Sequence, residues 1–181
     1  MNKLKLTDIR VPIKRKISKG MSYTPRDLFE RQWYKVDYDV ILSNGKSLQR
    51  DFCWTSDQKN ELILSILKGI NLPTFTILSY EEDDRSRIKT LKIIDGKQRL
   101  STIESFMKNE FPLIFDKKKI YYKNLDEDAQ REIWNLGLSV DIAYSYYDDY
   151  PTDEELVRWF ELINFAGTPQ DKEHLKYLKN D

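Results

Sequence analysis

The chain holds one cysteine and one histidine in 181 residues, and these two scarcities exclude several kinds of chemistry. Cys53 has no second thiol to pair with, which rules out an internal disulfide and fits a reducing compartment. Set between Phe52 and Trp54, it reads as a small buried hydrophobe rather than a reactive thiol. With His174 as the one histidine, a zinc site of Cys and His ligands cannot be assembled. A histidine-dependent HNH nuclease site falls for the same reason. A Ser-His-Asp triad would have to draw His174 from "DKEHLKYL", where a helix-surface position is the simpler account. No apolar run approaches a membrane span, and no apolar segment of signal-peptide length follows the basic N-terminus. The expectation is therefore a cytoplasmic protein without membrane contact. Net charge is also missing, since 30 Lys and Arg balance 30 Asp and Glu, so bulk charge argues for no polyanionic partner. The distribution is uneven: residues 1–35 carry ten Lys or Arg against three Asp or Glu. A solvated arm is the plainer reading of that segment, and DNA or other nucleic-acid binding is the alternative.

What is present suits one soluble domain. Hydrophobic residues make up 40% and aromatics 13%, enough for a sizeable core, and no repeat, low-complexity stretch or Gly/Ser linker divides the chain. The organisation expected is a basic arm with a short helix over 1–35, followed by one domain over 36–181. Thr24 and Pro25 mark the start of the short helix. "VDYDVIL" places apolar residues at 36, 38 and 40, the period of a strand, and "SNGKS" then makes a turn. "WTSDQKNELILSILKG" is a helix with a Thr55/Gln58 capping box and an apolar face at Leu62, Ile63, Ile66, Leu67 and Ile70. "TFTILSY" and "RIKTLKIID" form a hairpin around a polar stretch, and "FPLIF" with "KIYY" forms a second one. "DEDAQREIW" is helical, and "LSVDIAYSY" alternates as a strand. "TDEELVRWFELINFAG" is a helix with a Thr152/Glu155 box. Interspersed helices, strands and hairpins predict an α+β class.

Polar residues gather where these elements end. "NGKS" at 44–47 resembles the end of a phosphate-binding P-loop, but Val40 stands where that motif needs glycine, so it is read as a turn. "IIDGKQR" is more informative. Gly96 allows a sharp turn or the close approach of a ligand, and the helix that follows opens with free N–H groups and a positive dipole end. Lys97 and Arg99 add positive charge, and Arg99 has the geometry to grip a phosphate with two donors. Asp95 would repel a bare phosphate but can hold Mg²⁺ or orient a water. The residues alone leave two accounts open, a nucleotide-phosphate site or an Asp95–Arg99 ion pair at a helix start. "LQRDFCW" places Gln49 and Arg50 beside two aromatics. Asn164 precedes the Gly167-Thr168-Pro169 turn, where a helix cap is the ordinary role.

"QRDFCW", "IIDGKQRLSTI" and "FELINFAGTPQDKEHL", in this order, resemble the three signature blocks of the domain-of-unknown-function family found in GmrSD-type modification-dependent restriction systems. The resemblance runs from about residue 45 to the C-terminus. It implies a ParB/sulfiredoxin-like fold, a mixed sheet with surrounding helices. It also implies a nucleoside-triphosphate-binding and hydrolysing domain that couples nucleotide state to DNA restriction or DNA sensing. Gln49 and Arg50 match the first block; Asp95, Gly96, Gln98 and Arg99 match the second; Phe160, Asn164 and Gly167 match the third. Lys97 stands where the family has a glutamine, and the proline usual before Gln-Arg is absent. Larger relatives carry a nuclease domain after this one, so a separate effector or nuclease subunit is an expected partner of a stand-alone domain.

Together these readings predict a Mg²⁺-dependent nucleoside triphosphatase. Arg50, Lys97 and Arg99 are expected to hold phosphates, Asp95 the metal or the attacking water, and Gln49, Gln98 and Asn164 to supply hydrogen bonds. Asp95, Gln98 and Arg99 would carry the catalysis. The rival classes are a nucleic-acid-binding module, and a regulatory or inhibitory protein of a restriction or defence complex that kept the fold without the chemistry.

Overall fold

Capping side chains fix most helix starts. In α1 (Pro25–Phe29) the Thr24 hydroxyl accepts from the Asp27 N–H at 3.1 Å, and the Asp27 carboxylate accepts from the Thr24 N–H at 3.1 Å. The same reciprocal box opens α2 (Ser56–Leu67) through Thr55 and Gln58. Thr152 and Glu155 repeat it ahead of α5 (Asp153–Phe165). Asp126 caps α4 (Glu127–Trp134) by accepting from the Ala129 N–H at 2.8 Å. Each box satisfies two N–H groups that a helix end otherwise leaves open.

The computed structural model describes residue 13 and residues 17–81, 88–146 and 149–165. Residues 1–12 and 14–16 of the basic arm, His174 and the Gly167-Thr168-Pro169 turn lie outside the described residues. The main sheet contains β1 (Ile17–Tyr23), β2 (Tyr34–Asp37), β3 (Phe75–Glu81), β4 (Lys89–Asp95) and β7 (Leu138–Tyr146), in the order β1-β7-β3-β4-β2. It is mixed: β3 runs antiparallel to β4 and parallel to β7, β2 runs parallel to β4, and β1 runs antiparallel to β7. A small hairpin, β5 (Leu113–Phe115) and β6 (Lys118–Ile120), stands apart from it. The fold is α+β.

Both faces of the sheet are covered. On one side, Ile77, Ile93 and Ile142 pack against Ile63 and Ile66 of α2, Ile103 and Phe106 of α3 (Lys97–Met107) and Ile133 of α4. On the other, Leu78, Ile94 and Ala143 meet Leu156, Trp159 and Phe160 of α5, together with Val40, Leu42 and Leu48. Full burial of one such side chain contributes about 1.5–3 kcal/mol, so neither layer is dispensable. No helix among the described residues is long and apolar enough to cross a membrane.

Two parts of the fold depart from the sequence reading. β1 was not anticipated. "ISKGMSY" lacks alternation, and its pairing with β7 shifts register between Ser18 and Met21. Gly20 lies within that irregularity at φ +66°, and its N–H donates to Asp141 Oδ1 at 3.1 Å. The strand expected over 36–42 stops at Asp37, leaving a single bridge between Ile41 and Ser47. Its alternation arises differently: Val36 and Tyr38 pack into the first core, whereas Val40 has crossed to the second. The "SNGKS" turn closes through the Leu42 N–H to the Lys46 carbonyl at 2.9 Å, with Gly45 at φ +80°.

Candidate functional site

β4 ends at Asp95 and α3 begins at Lys97, so Gly96 alone makes the turn. Its φ is +100°, a conformation that side chains with a Cβ resist. Space requires glycine independently. A Cβ at 96 would lie 2.3 Å from Cδ1 and 2.9 Å from Cε1 of Phe75, which is buried at the start of β3. No side chain caps α3, so its first N–H groups stay open at the positive end of the helix.

These groups face a cleft of about 150 Å³ at the end of the sheet. Three stretches line it: Gln49, Arg50 and Trp54 from the chain before α2, the run 95–99, and Phe160 from α5 on the opposite face of the sheet. Seven of the expected site residues therefore meet in one place, although Gln49 and Ile93, which are hydrogen-bonded to each other, lie 44 positions apart in sequence. Asn164 is not among the lining residues; its amide donates back to the Phe160 carbonyl at 2.7 Å.

Inside the cleft the side chains are largely engaged with one another. Arg99 Nη2 contacts Asp95 Oδ2 at 3.1 Å, the ion pair that the residues alone allowed. The same guanidinium donates to the carbonyls of Pro73 and Thr74 and lies 4.4 Å above the Phe75 ring. Three of its five donors are thereby used. Burial pulls its pKa below the ordinary arginine value, with the Asp95 charge acting against that pull. Lys97 is buried, and its ammonium contacts Asp39 Oδ1 at 2.7 Å. Gln49 is also buried and donates to the Ile93 carbonyl.

Gln98 is bonded at both ends. Nε2 donates to the Asp51 carbonyl at 3.0 Å, and Oε1 accepts from the N–H groups of Cys53 and Trp54 at 3.0 and 3.3 Å. Arg50 differs from its neighbours, being exposed and without a partner among the described residues. The lining thus offers one uncommitted cation, an open helix start, and the second oxygen of the Asp95 carboxylate, to which no bond is made among the described residues.

Cys53 corrects an expectation: it is exposed rather than buried. The aromatic neighbours suggested a core position, but Phe52 is itself exposed, and only Trp54 turns inward to the cleft. Asp39 was not singled out from the sequence. It is one of several acidic residues near a strand end, and only the structure shows the buried lysine it balances.

Residues 40–177 match the family described as GmrSD restriction endonuclease, N-terminal domain. The chain belongs to this family. The matched span contains every residue lining the cleft of this GmrSD N-terminal domain. The membership associates the chain with restriction systems. No curated protein and no solved structure matches it. Among the described residues of the domain, no group of three or more His, Cys, Asp or Glu is placed to hold a metal. A metal here would have Asp95 as its protein ligand and would need further oxygens from elsewhere.

Proposed function

We propose that the cleft binds the phosphate chain of a nucleoside triphosphate and hydrolyses it, with nucleotide state passed to a nuclease or other effector subunit of a restriction system. One observation carries the reading: an unpartnered arginine and an uncapped helix start line the same cleft. Open N–H groups at a helix start, with a cation alongside, form an anion site that needs no further residues. The volume supports the phosphate end in particular. Whole small-molecule pockets usually span about 300–1,000 Å³, and this cleft offers about 150 Å³.

In this arrangement Arg50 and the α3 N–H groups bind the terminal phosphates. The free oxygen of Asp95 is the residue atom suited to Mg²⁺, which commonly binds one or two carboxylates together with substrate phosphates and supplies charge neutralisation there. Arg99 holds Asp95 in place from below and keeps two donors for the ligand. Lys97 lends little net charge, because Asp39 balances it. The protein's contribution is then positioning and charge stabilisation, with no covalent intermediate.

Titration calorimetry with each of the four ribonucleoside triphosphates, with and without Mg²⁺, tests this directly. Wild type is expected to bind at least one of them, and Arg50→Ala to weaken that binding by about tenfold or more, to a level still measurable, while its unfolding free energy stays within about 0.5 kcal/mol of wild type. Wild-type affinity for none of the four, or equal affinity for Arg50→Ala, would remove the phosphate site.

A further inference from the structure

The backbone from Arg50 to Trp54 makes no backbone–backbone hydrogen bond among the described residues. It crosses the surface between Leu48, whose N–H bonds to the Val40 carbonyl, and the Thr55 cap of α2. Five residues joined only at their ends would sample many conformations, and fixing each residue costs about 1–2 kcal/mol. Yet this segment carries Arg50 and Trp54, two of the residues that shape the cleft. What ties its backbone down is one side chain from another element. Gln98, in the first turn of α3, bonds the Asp51 carbonyl and the Cys53 and Trp54 N–H groups, so a single amide spans the segment. A primary amide suits this position because it donates and accepts at once. Two side-chain contacts add to that tie: Trp54, at the end of the segment, packs against the first core, and Lys59 Nζ lies 4.8 Å from the Phe52 ring centroid.

We infer that Gln98 is a positioning residue: it holds the Arg50–Trp54 segment over the cleft, and it affects the ligand through Arg50 rather than by touching it. This rests on the phosphate-binding reading for its functional part, whereas the tether itself does not. The consequence is specific. With both ends of its amide already bonded, Gln98 has little left to offer a ligand, and its removal should loosen Arg50 rather than delete a ligand contact.

Two sets of measurements decide it. The first uses no ligand: amide hydrogen exchange at Cys53 and Trp54, together with the rate at which the exposed Cys53 thiol reacts with a disulfide reagent. Gln98→Met keeps the side-chain length but removes donor and acceptor. It should speed exchange at both amides and raise the thiol rate, with the helical circular dichroism unchanged. Gln98→Glu keeps an acceptor for both N–H groups and should preserve most of their protection. Unchanged exchange in Gln98→Met would overturn the tether. The second measurement is a double-mutant cycle with Mg²⁺-ATP, read as Kd and, where turnover is present, as KM against kcat. Gln98→Met should weaken affinity about tenfold alone and less than about twofold in an Arg50→Ala background, with kcat held. Equal effects in both backgrounds would show that Gln98 acts on the ligand independently and overturn the positioning role. Absence of binding of all four Mg²⁺-nucleoside triphosphates in wild type would overturn that role together with the proposed function, and if another of the four binds in place of ATP the cycle is read with that nucleotide; the exchange result decides the tether in every case.

Discussion

Gly96→Ala tests the geometry of the cleft without reference to any ligand. Two costs arise at one atom. The first is conformational: φ at 96 is +100°, and holding a residue with a Cβ in such a region costs about 1–3 kcal/mol. The second is steric, because the new Cβ would stand 2.3 Å from Cδ1 and 2.9 Å from Cε1 of Phe75. That ring is 1% exposed and has Arg99 stacked on it, so it has little room to retreat. Overpacking of this kind costs roughly 1–3 kcal/mol. The sum is about 2–6 kcal/mol, a large part of the roughly 5–15 kcal/mol that stabilises an ordinary domain. For a chain of this length each kcal/mol moves the midpoint by about 2–4 °C, so a fall of at least about 4 °C is expected. Urea unfolding followed by circular dichroism gives the free energy, and a thermal scan gives the midpoint. A loss below about 1 kcal/mol would show that the turn and the Phe75 ring relax freely. The account of Gly96 as a residue fixed by both backbone and space would then be wrong.

Three further outcomes follow from the charges in the cleft. Asp39→Asn leaves the Lys97 ammonium opposite a neutral amide. It should cost about 1 kcal/mol in urea unfolding, since Asp39 is well exposed and water can replace part of the contact. It should also raise Mg²⁺-ATP affinity by a few fold at low salt, and a fall in affinity would contradict the view that Asp39 cancels the Lys97 charge. Arg99→Ala strips Asp95 and two backbone carbonyls of a shared partner, so a loss of about 1–3 kcal/mol in unfolding free energy is expected for charge-assisted bonds in a half-buried pair. Asp95→Asn keeps an acceptor for Arg99 and should leave Mg²⁺-ATP binding largely intact while phosphate release stops; unimpaired turnover would remove Asp95 from the chemistry.

The sequence was legible where short-range physics decides. Capping boxes at Thr55 and Thr152 depend on residues three apart, so their helices could be placed from side-chain chemistry alone. The turn from Asp95 into α3 could be read as well, because one glycine interrupts an apolar run just before a helical period begins. β1 could not be read: its reason for being a strand is β7, which lies more than a hundred residues later, and nothing in "ISKGMSY" announces that partner. The same distinction runs through the cleft. Residue types at 49, 50 and 95–99 marked the place, but their assignments depend on contacts between distant segments. Residue type alone makes Lys97 a candidate phosphate ligand, and the Asp39 carboxylate beside it is visible only in the structure. For Gln98 the residue type predicts a hydrogen-bonding amide, and the bonds it makes to the Asp51 carbonyl and the Cys53 and Trp54 N–H groups are set by a distant segment.

The pairing order of the sheet also has a consequence in time. β3 borders β4 on one side and β7 on the other, and β7 in turn carries β1. A ribosome adding about 5–20 residues per second needs roughly 6–24 s to travel the 121 positions from Gly20 to its partner Asp141. Throughout that interval β1 lacks its neighbour, and from the time Phe75–Glu81 is made one edge of β3 is bare as well. An unpaired edge of this kind invites pairing with another chain. The nascent domain is therefore most vulnerable to misassembly before Leu138–Tyr146 emerges, however stable the finished sheet becomes. Arrested chains ending short of Leu138 should be cut readily by protease at β1, and chains extended past Tyr146 should resist.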